Sequence, residues 1–225
     1  MAKKTTEEEI RQQNVAEAVS KTEVFFKENS KTIISCVIAV LVIALGILCF
    51  NRFYLQPKKA EAQAEMFHAE QWFAQENYEL ALNGDDNYLG FEDIIAKYGA
   101  KGGESVYMYA GLSALHTGDF EKAVNWLKKY DGKDAILKAR ALAALGDAYV
   151  GLEDYKAALA AYDKAIATAD NMFAAAYMMK AGITAEQLGD NAKALSYYKA
   201  VKDKYPAGPE GAEVDKFIAR IETAE

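Results

Sequence analysis

The side chains best suited to bind a metal ion or to act as nucleophiles are two histidines and two cysteines. His68 and His116 each lack a histidine, cysteine or carboxylate neighbour at the spacing of a metal site. Cys36 and Cys49 both lie inside one apolar run, so they predict neither a disulfide framework nor a zinc site. We therefore expect no metal and no cofactor.

One stretch partly matches the sequence pattern of a calcium-binding loop. The sequence "DDNYLGFEDIIA" begins at Asp85 and places Gly90 at the sixth position of such a loop. Its fifth and twelfth positions are Leu89 and Ala96, where calcium requires oxygen ligands, so we interpret the paired acids as a polar turn. The sequence contains no metalloprotease, nucleophile-elbow or phosphate-loop pattern. We predict that the protein is not an enzyme.

The composition of the chain indicates its fold class and excludes one class of partner. The chain has 225 residues, of which 52% are hydrophobic and only three are proline, and alanine is abundant. This composition favours helices over strands and permits a substantial core. The net charge of −7 argues against nucleic acid as a partner, because nucleic-acid binding needs a clustered basic surface.

An uncharged apolar run extends from Thr32 to Phe50. As a helix it would be roughly 28 Å long, close to the ~30 Å thickness of a bilayer core. Arg52, Phe53 and Tyr54 follow it, as is typical of a membrane interface. The preceding segment is long for the start of a signal peptide, so we interpret residues 32–50 as a transmembrane anchor.

Basic residues predict the orientation of this anchor. Six lie in residues 1–31 and three in residues 51–70, which places the N-terminus in the cytoplasm and the large C-terminal part outside it. Val15, Val19 and Phe26 in the tail share one helical face. The tail, residues 1–31, is therefore either a partly amphipathic helix that binds a partner or a solvated lead-in to the membrane.

A repeated pattern occupies the C-terminal half. The segments "GLSALHTGDFEKAVNWLKKY", "GDAYVGLEDYKAALAAYDKA" and "GITAEQLGDNAKALSYYKAV" align, with their first glycines spaced by 35 and then 36 residues. In each copy a small residue follows twelve positions later and a larger one sixteen positions later. We expect two antiparallel helices that approach closely where one helix offers Gly or Ala and the other fills the space.

The pattern is similar to the tetratricopeptide repeat (TPR), a 34-residue helical hairpin. The resemblance implies an all-α fold in which stacked hairpins form a TPR-like α-solenoid after a single N-terminal transmembrane helix. The positions that match the packing residues of the family are Gly111, Ala123, Gly146, Tyr149, Tyr155, Ala158, Tyr162, Gly182, Ala194, Tyr198 and Pro206.

The repeats divide the rest of the chain. Residues 60–82 are expected to form one long helix and Phe91 to Tyr98 a short one, which together make a degenerate first hairpin. A terminal helix with Val214, Phe217, Ile218 and Ile221 facing inward would cover the last repeat. The predicted segments are a linker helix and first hairpin (51–103), TPR 1 (104–138), TPR 2 (139–174), TPR 3 (175–208) and a capping helix (209–225).

The TPR resemblance also implies a concave groove that binds protein partners. Its lining would come from the first helix of each hairpin: Ser105, Met108, Leu112, Leu115, His116, Arg140, Ala143, Asp147, Val150, Met179, Ile183, Glu186 and Gln187. The Lys and Asn that clamp a carboxylate in chaperone-binding TPRs are not at these positions. Flexible methionines suit varied apolar segments. The alternative is that some of these residues pack against the first hairpin or the terminal helix.

The whole layout resembles the YfgM family, in the version common among Bacteroidetes. The segments "PKKAEAQAEMFHAEQWFAQENYELAL", "FEDIIAKYG" and "YYKAVKDKYP" carry that resemblance together with the order of tail, span and TPR domain. It implies an ancillary subunit of the Sec translocon in the bacterial inner membrane, with its TPR domain in the periplasm. The implied partners are translocon subunits, a membrane-anchored PpiD-like chaperone and unfolded exported polypeptides.

Two other functions stay open at this point. The first is a TPR scaffold for envelope or outer-membrane assembly. The second is a structural homo-oligomer that uses its span and its groove for self-association.

Overall fold

A computed structural model describes residues 2–168 and 171–223 of the chain. Within those ranges the secondary structure is helical, without strands, and the chain divides into two compact units, Met1–Pro57 and Lys58–Glu225. The helices are α1 (Ala2–Phe50), α2 (Gln56–Ala74), α3 (Tyr78–Asn83), α4 (Phe91–Tyr98), α5 (Ser105–Thr117), α6 (Phe120–Leu127), α7 (Ala135–Gly151), α8 (Tyr155–Thr168), α9 (Phe173–Gln187), α10 (Asn191–Lys204) and α11 (Pro209–Glu222).

The first unit consists of α1 and a π-helical turn, Asn51–Leu55. Among the described residues, one helix has the length and apolar composition that a membrane crossing requires, and it includes the predicted span 32–50. Its apolar side chains are exposed, as is suitable for contact with lipid. Cys36 and Cys49 are both free thiols on this helix.

The second unit is a stack of helical hairpins. The pairs α5/α6, α7/α8 and α9/α10 each pack as a hairpin and then against the next pair, and α11 packs on α9 and α10. The buried residues form two core clusters, and Tyr149 contacts both of them. Val214 and Ile221 of α11 are buried, with Phe217 and Ile218 packed beside them, so the predicted inward face of the terminal helix is confirmed.

The packing residues of the repeats interlock by size. A Cβ atom placed on Gly146 would lie 2.5 Å from the Tyr162 ring, and one on Gly182 would lie 2.3 Å from the Tyr198 ring. Neither ring leaves room for even a methyl group, so glycine is required at these two positions, where the helices of α7/α8 and α9/α10 meet. The next small positions, Ala123, Ala158 and Ala194, are fully buried. Tyr155 is half-buried, and Pro206 follows the end of α10 and is exposed.

A left-handed turn separates the two helices of every hairpin. The residue in this conformation is Glu76, Gly118, Glu153 or Gly189, with φ between 59° and 81°. An Asn or Asp follows the left-handed residue in each case. The backbone N–H of this Asn or Asp donates a 2.9 Å hydrogen bond to a backbone carbonyl of the preceding helix. This arrangement is a helix C-terminal motif, in which the left-handed residue lets the chain reverse.

The same turn corrects the prediction of one long helix over residues 60–82. The helix ends at Ala74, and a new helix begins at Tyr78 after the left-handed Glu76. The residues Glu76 and Asn77 match the Glu or Gly and the Asp of the later repeats, so the turn between α2 and α3 has the same design. Ala69 of α2 and Ala81 of α3 are both fully buried.

The predicted short helix from Phe91 to Tyr98 is confirmed as α4. The Phe91 ring is fully buried and stacks on Tyr109 of α5, with ring centroids 5.2 Å apart. In the loop before α4, the Asp85 carboxylate accepts hydrogen bonds from the backbone N–H groups of Asn87 and Tyr88, both 2.8 Å long. Asp85 therefore stabilises a polar turn, as predicted.

Two helices begin before the predicted repeat boundaries next to them. The Asp134 carboxylate accepts from the backbone N–H of Leu137 over 2.8 Å and caps α7, so the predicted boundary at residues 138–139 falls inside that helix. The Asn171 side chain accepts from the N–H of Phe173 over 2.9 Å, where α9 begins. The predicted boundary at residues 174–175 likewise falls inside α9.

Candidate binding groove

A pocket of about 550 Å³ opens on the face formed by the first helices of three hairpins. We call it the groove. Helix α5 contributes its C-terminal half, α7 its first three turns and α9 its first two turns. Its lining residues are Leu112, Leu115, His116, Ile136, Leu137, Arg140, Ala143, Ala144, Asp147, Phe173, Tyr177 and Lys180.

The structure brings together one part of the predicted lining and separates the other. Leu112, Leu115, His116, Arg140, Ala143 and Asp147 all line the groove. Ser105 is exposed at the start of α5, whereas Met108 is buried in the first core cluster. Val150 packs against the second core cluster. Met179, Ile183, Glu186 and Gln187 lie on α9 outside the groove.

Sequence reasoning missed the most exposed apolar residues of the groove. Ile136 is 49% exposed, Leu137 44% and Phe173 51%. All three lie in the first turns of α7 and α9, which the predicted boundaries assign to the end of the preceding repeat. The signal that would have found Ile136 and Leu137 is the capping residue Asp134 ahead of α7, and Asn171 forms a turn just before α9.

A polar network crosses the inner wall of the groove. The Tyr162 hydroxyl donates to Asp147 over 2.7 Å, and Lys180 Nζ of α9 lies 2.7 Å from the same carboxylate. Burial and the charge of Asp147 raise the pKa of Tyr162 well above its usual range. The carboxylate is thus satisfied from both sides and holds α7 to α9.

Arg140 contributes a different kind of charge. It is exposed on α7 and forms no ion pair within the part of the chain that the structure describes. Burial raises the pKa of Tyr177 beside it, and the guanidinium partly offsets that rise. The groove therefore presents one uncompensated positive charge beside an apolar surface.

Both histidines take part in ring stacking. His116 lies parallel to Tyr78 of α3, with ring centroids 4.1 Å apart, at the edge of the groove. His68 stacks on Tyr88 with centroids 3.6 Å apart. Within residues 2–168 and 171–223, no group of three His, Cys, Asp or Glu side chains could hold a metal ion.

The terminal helix binds one residue of the predicted lining on α9, Glu186. Arg220 of α11 donates to both carboxylate oxygens of Glu186, at 2.6 and 2.8 Å, and the Tyr198 hydroxyl donates to the same group. Ile183 remains 41% exposed. Position 186 therefore packs against the C-terminal helix, as the alternative interpretation of these positions expects.

Known proteins support the repeat architecture. Two family models described as tetratricopeptide repeat match residues 105–171 and residues 143–209. No curated protein matches the sequence. Two solved structures are similar at 18% identity: a crystal structure of MamA, with a TM-score of 0.52 over 69% of this chain and 92% of that one, and a crystal structure of MamA protein, with 0.55 over 72% and 86%. These likenesses show the fold alone. Residues 105–209 are therefore tetratricopeptide repeats, which generally serve as non-catalytic modules for protein–protein interaction.

Proposed function

We propose that the protein is a membrane-anchored interaction module whose groove holds an apolar segment of another polypeptide. The observation that carries this proposal is the exposure of Ile136, Leu137 and Phe173 at the mouth of a pocket of about 550 Å³. Exposed apolar side chains that are continuous with a concave pocket are typical of binding sites rather than of solvated surface.

The groove favours a partner chosen by apolar character rather than by a fixed sequence. Its apolar side chains come from three different helices, so an extended segment would contact each hairpin in turn. The Asp147 carboxylate is already occupied by Tyr162 and Lys180, which leaves few polar groups to specify particular partner residues. Binding of this kind is weak and adaptable.

The apolar part of α1 supplies the anchor in this proposal. The excess of basic residues before it supports an orientation with the N-terminus in the cytoplasm and the hairpin unit on the exported side. A tether of this kind raises the effective concentration of the groove at the membrane surface, so that even a weak site is occupied there.

The finer proposal concerns the partners. The resemblance to the YfgM family supports an ancillary subunit of the bacterial Sec translocon, in the inner membrane, with the TPR domain in the periplasm. The groove would hold unfolded polypeptides as they emerge and pass them to periplasmic chaperones, with a PpiD-like chaperone as a neighbour. Weak, apolar and tethered binding suits clients of many sequences.

Photocrosslinking from the groove tests both levels. A benzoylphenylalanine at Ile136 of the full-length protein, in membranes that carry an exported chain arrested in transit, is expected to crosslink to that chain. The matched control is the same probe at Glu121, which is exposed on α6 outside the groove. The substitution Phe173→Asp should reduce the yield of crosslinks from Ile136 severalfold without changing the background yield from Glu121.

Each result of this experiment has a definite meaning. Adducts with the arrested chain and with translocon subunits support the finer proposal. Adducts with outer-membrane assembly proteins replace it with the scaffold function, and adducts with a second copy alone replace it with the homo-oligomer. Equal crosslinking from Ile136 and Glu121 would remove the groove as a binding site.

A further inference from the structure

A second depression of about 360 Å³ lies between α6, α7 and α8. Leucines and alanines of these helices form its floor, Tyr130 and Tyr149 form its walls, and Lys128 and Lys164 lie at its rim. We call it the lysine-rimmed cleft. None of its lining residues belongs to the groove.

The charge of the cleft is opposite to that of the chain. The whole sequence has 33 acidic and 26 basic residues, but two lysines and no carboxylate line this cleft. Lys128 Nζ lies 5.3 Å from the centroid of the Tyr149 ring. Lys129, next to the rim, lies 4.3 Å from the centroid of the Trp126 ring. Lys128 and Lys164 thus lie beside one aromatic and apolar depression, with the carboxylates of Asp134 and Glu104 near its Tyr130 side.

These lysines differ from most of the other lysines of the hairpin unit, a difference that they share with Lys59, Lys133, Lys156 and Lys204. Lys128, Lys129 and Lys164 form no ion pair with any described residue. Many of the others do, at N to O distances between 2.6 and 3.5 Å: Lys97, Lys122, Lys138, Lys180, Lys193, Lys199, Lys202 and Lys216. A cluster of uncompensated lysines in an acidic protein creates a local positive potential that attracts an anionic partner.

We propose that the lysine-rimmed cleft docks an acidic polypeptide segment that also carries apolar side chains. Carboxylates of the segment would meet Lys128 and Lys164, and its apolar side chains would enter the depression between them. The cleft has room for side chains, and its floor is apolar. A lipid headgroup would use the lysines but not that floor, so the observations favour a polypeptide over an anionic membrane surface.

This second site is independent of the groove. The groove is lined by α5, α7 and α9, whereas the cleft is lined by α6, α7 and α8. One partner can therefore occupy the cleft while another segment is held in the groove. The proposal would stand even if the groove bound nothing, and the crosslinking from Ile136 does not report on it.

A binding measurement with a defined probe tests the proposal. The probe is a fluorescein-labelled 12-residue peptide of glutamate, leucine and phenylalanine, and its partner is the full-length protein in a neutral detergent. We expect saturable binding by fluorescence anisotropy that is lost in 0.5 M salt. The same peptide with glutamine in place of each glutamate should bind about tenfold more weakly.

Charge reversal at the rim is compared with a matched reversal elsewhere. The double variant Lys128→Glu with Lys164→Glu should weaken binding by about tenfold or more. The control is Lys156→Glu with Lys204→Glu, which changes the net charge equally at two exposed positions outside the cleft. It should bind within about twofold of the unmodified protein.

A third variant separates shape from charge. Ala160 is exposed in the cleft, so Ala160→Phe fills the depression without disturbing the core and leaves both lysines in place. It too should weaken the peptide severalfold, with an unchanged far-UV circular dichroism spectrum. Equal losses in the two double variants would overturn the proposal. Full binding by Ala160→Phe, or binding of phosphatidylglycerol vesicles without binding of the peptide, would overturn it as well.

Discussion

The hairpins α5/α6 and α7/α8 answer the same packing problem with different side chains. In the first, Gly111 faces Leu127, and a Cβ atom on the glycine would lie 2.5 Å from the leucine Cγ. In the second, Gly146 faces the ring of Tyr162 at the same distance. Both pairs bring two helices into close contact, but only the tyrosine adds a hydroxyl group at the contact.

The Tyr162 hydroxyl is part of a link between the hairpin α7/α8 and the hairpin α9/α10. It donates to Asp147, which also binds Lys180 of α9. The chemistry recurs one hairpin later, where Tyr198 and Arg220 both bind Glu186, so that α11 is held to α9.

The hairpin α5/α6 has no such tyrosine–carboxylate–cation link. Leu112 follows Gly111 where Asp147 follows Gly146, so this part of α5 presents an apolar side chain to the groove. Size complementarity therefore packs each hairpin, whereas the hydroxyl, carboxylate and cation connect it to the next helix. Where they are missing, the first-helix face stays apolar and available to a partner.

Removal of the larger partner of each pair should give the largest effects. Tyr162→Ala is expected to lower the free energy of unfolding by about 3–5 kcal/mol, because it leaves a ring-sized cavity. Leu127→Ala should cost about 3 kcal/mol, since the side chain removed is smaller. Urea unfolding of the full-length protein in neutral detergent, followed by circular dichroism, measures both. A larger cost for Leu127→Ala would contradict the view that the tyrosine makes the stronger contact.

Enlargement of the small partner should have the next largest effect. Gly146→Val places a branched side chain against the Tyr162 ring and is expected to cost about 2–3 kcal/mol through overpacking. The cost should largely disappear when Tyr162→Ala is present, because the ring that obstructs the valine is gone. Additive costs in the double variant would show that the two residues do not interlock.

The hydroxyl groups should matter less, and their effect should depend on pH. Tyr162→Phe keeps the ring but removes the bond to Asp147, at a cost of about 1 kcal/mol at pH 7. Burial and the neighbouring carboxylates raise the pKa values of Tyr162 and Tyr198. The folded protein therefore keeps these protons above pH 10, where the unfolded chain releases them, and stability falls as pH rises through that range.

A comparison of pH profiles tests this link. The double variant Tyr162→Phe with Tyr198→Phe should lose stability less steeply between pH 10 and 11 than the unmodified protein. The difference should be at most about 1.4 kcal/mol per pH unit for each tyrosine. Identical slopes would mean that these hydroxyl groups are not held in their protonated form by the fold.

The sequence predicts the interlock of the repeats because that interlock depends on local spacing. Glycine, alanine and tyrosine recur at fixed intervals, and the structure pairs Gly182 with Tyr198 as the spacing requires. The sequence does not predict the turn at Glu76 because glutamate stands there in place of the expected glycine. Glu153 makes the same turn in the second repeat. A left-handed conformation is uncommon for glutamate, so spacing without a glycine gave little reason to end a helix there.

The groove was only partly predictable, since it depends on what lies next to each helix face. Met108 occupies a position expected in the groove, but the structure places it in the first core cluster. Glu186 occupies another such position, and Arg220 of the terminal helix binds it. No spacing within a repeat specifies these neighbours. The start of α7 could be predicted from the sequence, because Asp134 is an ordinary capping residue.

The smallest expected effect concerns the cations that connect neighbouring hairpins. The side chains of Lys180 and Asp147 are 45% and 30% exposed, so water and salt weaken their attraction, and Lys180→Ala should cost about 0.5 kcal/mol. Arg220→Ala should cost more, because the guanidinium contacts both oxygens of a less exposed carboxylate. A double-mutant cycle with Asp147→Asn isolates the Lys180 contribution in urea unfolding.

The salt dependence of this cycle decides whether the cation is part of the link. The coupling between Lys180 and Asp147 should shrink in 0.5 M salt, whereas the coupling between Tyr162 and Gly146 should not, because packing is insensitive to screening. If the coupling between Lys180 and Asp147 is zero at low salt, the hydrogen bond from Tyr162 orients Asp147 and Lys180 of α9 contributes no stability. The second and third hairpins would then be connected by packing and by the contacts of Asp163 on α8 with Tyr197 and Lys193 on α10.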